Sequence, residues 1–365
     1  MGSGGGKHLP AAIAVTQVRC YGRLMQFDRI AAAVTLTAAL AIGASMLRAE
    51  AAVVVPLGAV PVSTTILPLD RGDPALSSIG ALKFLGAVQI RSSDPLFGGI
   101  SGLRSGPGNT MLAVTDTGNW LAFATTENRN RLTGIANAVL VPILGADGKP
   151  APTKAAGDAE ALEWDPATGT ATIVYEQDHR LVHFAGIDPA RPATLGQSPQ
   201  RTERLTAMTG WTLNGGGEAM AVLPGGTRIV MSESARRDDG AITALVTRDG
   251  KTFEIGVEGV DGHSPTDAIA LDDHRILVLH RRFTVMMGQG AAVTLVDLAP
   301  LFSGTPPATL PAKILAQWQP PVTLDNMEGL AVRKIGGRTF LYVISDNNLN
   351  SIQRTILMKF ELETP

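Results

Sequence analysis

The chain has a single cysteine, Cys20, in 365 residues, and it is poor in aromatics (5%) and in charge (18%). One thiol excludes a disulfide framework. Cys20 also precedes the cleavage point expected below, so the mature chain would hold no thiolate nucleophile. Lysine and arginine together number 31 against 33 acids, and a formal net charge of −2 supplies no field for drawing in nucleic acid or an anionic membrane. Neither "GISGL" (99–103) nor "GHSPT" (262–266) is a G-x-S-x-G elbow, and a strand-turn-helix setting for one is missing. "GSGGG" (2–6) and "NGGGE" (214–218) lack the Lys-Ser/Thr step of a phosphate loop. The six histidines show no metal-ligand spacing beyond His179-x3-His183, which has no third partner in sequence and argues against zinc.

What is plentiful is glycine (40) and proline (23), within 45% hydrophobic content. Many short elements joined by many turns favour an all-β chain. From Met25, "MQFDRIAAAVTLTAALAIGASMLRAEA" has the layout of a secretory signal: Arg29 in a short n-region, an apolar stretch from Ile30 to Met46, and a small-x-small end at Ala49-Glu50-Ala51. A membrane anchor is the other reading, and the stretch is near the lower length limit for spanning. The expected organisation is an upstream extension and signal over 1–51, a linker over 52–79 and one domain over 80–365. A periplasmic or secreted monomer is expected, with no stable membrane insertion after cleavage and no nucleic-acid partner.

The domain is repetitive. "GISGL" (99–103), "DAEALEW" (158–164), "GGEAMAVL" (216–223), "PTDAIAL" (265–271) and "NMEGLAV" (326–332) form one series. Aligning Leu103, Leu162, Met220, Ile269 and Leu330 gives intervals of 49 to 61 residues. A second series follows one strand later: "MLAVTDTG" (111–118), "ATIVYEQD" (171–178), "TRIVMSES" (227–234), "RILVLHRR" (275–282) and "FLYVISDN" (340–347). With further strand-like runs between, each unit has four strands, the pattern of a β-propeller blade. The last unit is one strand short, and "LKFLGAVQI" (82–90) would complete it, an N-terminal strand closing the ring. The count favours five blades, with six the alternative.

Adjacent antiparallel strands bring the start of the first and the end of the second to one face. Ser101, Glu160, Glu218, Asp267 and Glu328 would then line the mouth of the central channel. Asp116, Glu176, Glu233 and Asp346 would form a tier just outside, where the fourth blade has His280-Arg281 instead. Several carboxylates at one mouth suit a hard cation such as Ca²⁺, with Glu160, Glu218, Asp267 and Glu328 as its ligands. Arg180, Arg281 and Arg354 follow second strands and could orient a small anionic substrate, with Glu176 or Asp346 activating water. Each acid could equally serve architecture by accepting backbone N–H groups, and each arginine could pair with a neighbouring blade. The long loops 143–157 and 187–204 would emerge near this face.

The segments "GDAEALEW…VYEQDHRL", "NGGGEAMAVLP", "PTDAIAL…VLHRRF" and "DNMEGLAV…VISDNNLNSIQRT" resemble the bacterial phytase-like propeller family labelled "esterase-like activity of phytase", over about residues 80 to 362. The resemblance implies an exported β-propeller of phosphoesterase or esterase type, calcium-dependent like the β-propeller phytases. Phosphoester hydrolysis is the leading expectation. A non-catalytic ligand- or protein-binding propeller, or a lactonase or carboxylesterase, are the alternatives.

Overall fold

The computed structural model describes residues 58–284 and 286–363. The expected signal segment and Cys20 lie outside them. Among the described residues no helix is long and apolar enough to cross a membrane.

Five antiparallel sheets follow one another along the chain as a five-bladed β-propeller. The first blade is built from Ile100–Ser105, Thr110–Thr115, Asn119–Asn128 and Arg131–Pro142. The second uses Ala159–Asp165, Thr170–Tyr175, Arg180–Phe184 and Arg201–Arg204. The third has Gly217–Val222, Arg228–Arg236, Ile242–Arg248 and Lys251–Val257. The fourth has Ser264–Ala270, Arg275–Thr284, Gly288–Asp297 and Ala312–Trp318. In the fifth, Asn326–Ile335, Arg338–Asp346 and Thr355–Leu362 are joined by Leu82–Ser92, with Ile90 opposite Thr355. The stretch read as a linker differs from that expectation, because Val62–Leu67 adds a further strand outside Leu82–Ser92. Its β-branched run "VSTTIL" favours extended pairing, and the prolines that flank it hide the strand in sequence.

The second strands are short, unbroken apolar runs such as Met111–Val114 and Ile276–Leu279, buried because a blade lies against each face. Five apolar clusters result, each between two neighbouring blades. Every fully buried Leu, Ile or Val there contributes roughly 1.5–3 kcal/mol. The smallest cluster, between blades two and three, is reinforced by Arg228 and Glu203 at 2.6 Å. That hydrogen bond holds the Glu203 pKa down at about 2.

Near the axis the inner strands leave little room. Gly102, Ala161, Ala219 and Gly329 hold equivalent registers, and a Cβ on Gly329 would stand 2.9 Å from the Cβ of Leu103. In the fourth blade the same register holds Asp267. Its carboxylate accepts from Arg104 Nη1 at 3.0 and 3.1 Å and from the N–H groups of Leu330 and Ala268, each at 2.8 Å. Arg104 also donates to the carbonyls of Leu103, Leu330, Met220 and Ala268 at 2.6, 3.1, 2.9 and 2.7 Å. One guanidinium therefore binds carbonyls on the inner strands of four blades, and Glu163 on the inner strand of the remaining one at 3.4 Å.

Asp267, expected as a metal ligand at the mouth, is thus a buried partner on the axis. The physical reason is a one-residue slip: the fourth blade's bulge skips Thr266, so Ala268, not Ile269, is equivalent to Leu103 and Leu330. A slip of one residue turns a strand side chain to the opposite side.

Removing one partner of such a buried pair leaves the other charge uncompensated, so Asp267→Ala should cost about 3–5 kcal/mol in urea unfolding. The paired change Arg104→Met/Asp267→Leu should recover much of that loss. A cost for Asp267→Ala below about 1 kcal/mol, the range of exposed ion pairs, would contradict this account.

Candidate functional site

In every blade the first strand carries a bulge where it leaves the cavity face. The register against the second strand skips Ser101, Glu160, Glu218, Thr266 and Glu328 in turn. A bulge residue lacks a cross-strand partner and re-aims its side chain. Ser101, Glu160, Glu218 and Glu328 line one cavity of about 570 Å³, whereas Thr266 donates its hydroxyl to the Met327 carbonyl at 3.0 Å. The ends of the second strands supply the next tier of the same cavity: Asp116, Glu176, Glu233, Arg281 and Asp346.

The structure thus brings together three of the four expected metal ligands and, of the expected catalytic set, Glu176, Asp346 and Arg281. Arg180 and Arg354 do not line the cavity. Arg180 stacks 3.9 Å over the Tyr175 ring and donates to the Ala156 carbonyl at 2.6 Å. Arg354 holds Asp325 at 3.1 Å and the Leu324 carbonyl at 2.8 Å. Both fasten neighbouring loops. His179 and His183 also lie off the cavity: His179 Nε2 is 3.2 Å from the Trp211 carbonyl, and His183 sits between Thr172 and Glu203.

Two important lining residues were not singled out from sequence, Asp158 and Lys154. Asp158 stands two positions before Glu160 inside the "GDAEAL" motif, just ahead of the strand that begins at Ala159. Lys154 belongs to the loop 143–157, whose length was the visible sign.

One oxygen from each of Asp158, Glu160 and Glu176 gathers within 4.8 Å, a group that could hold a metal ion. Glu176 Oε1 is fixed by the N–H groups of Gly215 and, at 3.2 Å, Gly216. Gly215 has φ +109°, a backbone that favours glycine. Asp158 accepts from Lys154 Nζ at 2.8 Å and from Gln177 at 3.1 Å. Across the cavity Arg281 reaches Glu233 at 2.8 Å, Asn326 at 2.8 Å and Glu328 at 3.2 Å. Asp346 Oδ1 accepts from the Ile100 N–H at 3.0 Å.

Eight carboxylates face two basic side chains, Lys154 and Arg281, among the described lining residues. The imbalance shows in proton affinity. Burial, reinforced by Asp158, Glu176 and Glu328, pushes Glu160 well above the usual carboxylate range, and burial with Glu160 and Glu233 does the same to Glu218. Burial lifts Glu328 to about 8 although Arg281 opposes it, and lifts Asp346 to about 6. Oxygen donors held at carboxylates that resist ionising alone fit a hard cation. Asp116 Oδ1 is buried against Gly99 without a hydrogen-bond partner among the described residues.

Among solved structures, the major allergen Mala s 1 of Malassezia sympodialis is similar at 12% identity, over 81% of this chain and 95% of that one, with a TM-score of 0.40. An exo-1,5-alpha-L-arabinanase from a bovine ruminal metagenomic library is similar at 10% identity, over 72% and 94%, with a TM-score of 0.38. No curated protein matches the chain. Residues 95–349 match the family described as phytase-like, esterase-like activity of phytase, and the chain belongs to that family.

Proposed function

We propose that the cavity is a metal-dependent hydrolytic site for a small anionic ester, a phosphate ester foremost. The observation that carries this reading is the ratio of eight carboxylates to two bases in one cavity, joined to membership of a phytase-like family. An anionic substrate would be repelled from so acidic a cavity unless bound cations reversed its charge. Asp158, Glu160 and Glu176, with Glu218 beside them, would hold the ion, and calcium fits their all-oxygen set. Bound there, a divalent ion would polarise a phosphoryl oxygen.

The chain's own residues have separable tasks. Arg281, held by Glu233 and Asn326, presents its guanidinium to an anionic oxygen of the substrate. Asp346 is the acid-base group: burial places its pKa at about 6, near the pH at which it would accept a proton from water. Glu176 is committed to the two glycine N–H groups and to the metal cluster, so its task is positioning. The proposed setting is outside the cytoplasm, periplasmic or secreted, where a loose calcium site of ~10⁻⁴–10⁻³ M suffices.

Linkage gives the first test. Asp346 and Glu328 have folded pKa values raised above their unfolded ones, so their contribution is full below about pH 4 and lost as pH rises through about 6 to 8. In chelator the melting temperature should therefore fall across that window. Saturating calcium should raise it by about 5 °C or more at pH 8, and by less at pH 5. No calcium shift at pH 8 would remove the metal reading.

Turnover is the second. With calcium, a chromogenic phosphomonoester or phytate should be hydrolysed, and chelator should abolish it. Asp346→Asn should lower the rate by about 10²-fold or more while keeping the calcium-dependent melt. Turnover of lactones or acyl esters alone would move the assignment to a carboxylesterase or lactonase. Ligand binding without turnover of any ester would make this a binding propeller.

A further inference from the structure

Lys154 lines the cavity beside the carboxylates that could hold a cation. Its Nζ lies 2.8 Å from Asp158 Oδ1 and 3.1 Å from Asp116 Oδ2. Asp158 is also one of the three residues whose oxygens converge within 4.8 Å. The ammonium thus already neutralises part of the cluster that a metal would use.

The backbone beneath Lys154 is fixed on both sides. Thr153 Oγ1 accepts from the Ala156 N–H at 3.2 Å, and Arg180 donates to the Ala156 carbonyl at 2.6 Å. On the other flank a Cβ on Gly118 would come within 3.2 Å of the Gly157 carbonyl oxygen, so the loop packs closely against the first blade. The side chain itself is 59% exposed, and among the described residues its ammonium bonds only to the two carboxylates. A flexible four-carbon stem on a rigid base can swing without moving the loop. Burial opposes its charge, but the hydrogen bonds and charges of Asp158 and Asp116 win and hold its pKa above the ordinary lysine value. The group is therefore a permanent cation near neutral pH.

We propose that Lys154 is a tethered counter-ion that competes with the metal for Asp158, sets the metal affinity of the site, and is released when the metal binds. This rests on the metal-dependent reading above. A divalent ion and an ammonium drawn to one carboxylate repel each other at these distances. Whichever holds Asp158 weakens the other. Asp116 remains a partner for the released ammonium, which keeps it at the cavity wall, where it would meet an anionic group of the substrate. Metal occupancy and substrate affinity would then be coupled through one side chain.

The test uses the folded protein with calcium or manganese chloride alone, titrated calorimetrically against wild type, Lys154→Met and Lys154→Arg. Lys154→Met should bind the metal about tenfold more tightly or better, and Lys154→Arg within about threefold of wild type. In chelator Lys154→Met should melt lower than wild type, and calcium should raise its melting temperature by more. Equal or weaker metal binding by Lys154→Met would overturn this inference and leave the metal reading standing. Absence of metal binding by all three proteins would overturn both.

Discussion

The Arg104 guanidinium on the axis is the constraint on which the site depends. Five inner strands converge there, and four of them turn a carbonyl to the buried guanidinium. Arg104 satisfies those four carbonyls and is itself neutralised by Asp267, with Glu163 a further 3.4 Å contact. A buried charge is tolerated only when it is paired and fully hydrogen-bonded. Here the shared carbonyls also fix the relative height of four strands, and so the height of the bulge residues two positions before each carbonyl. Small residues at the equivalent registers of the other blades leave the room that Asp267 fills.

Above that plug the excess of acid grows. On the axis one arginine meets two carboxylates, Asp267 and Glu163. The cavity is far more acidic, because Glu160, Glu218 and Glu328 project from bulges toward a second tier that is acidic in four of five blades. Carboxylates crowded in a half-enclosed space must bind protons, bind cations or repel one another. Arg281 and Lys154 relieve two places in the ring, one on each side. What remains is an acidic surface on which oxygens of Asp158, Glu160 and Glu176 converge closely enough that they could hold a metal ion.

The blade pattern was legible in the sequence because it rests on short-range rules: apolar runs of strand length, turn residues between them and a recurring acid-Gly or acid-Ala step. The second tier was legible for the same reason, since the end of a second strand is marked by its own run and Asp116, Glu176, Glu233, Arg281 and Asp346 all reach the cavity. Asp267 was misplaced because a bulge has no signature in composition, and one skipped residue exchanges cavity for axis. Arg180 and Arg354 were drawn to the site by position along the chain, yet each turns outward to a loop carbonyl. Asp158 and Lys154 were overlooked because they precede a strand, where sequence periodicity has not yet begun.

By itself the sequence determined an all-β chain of repeated four-stranded units and the convergence of acids on one face, since both follow from strand alternation and antiparallel return. Only the tertiary structure decided which acids share a cavity, which one neutralises an arginine on the axis, and which lysine reaches in from a neighbouring loop. The reason is that these depend on bulge registers and on contacts between residues up to 246 positions apart. Local propensity carries no information about such contacts.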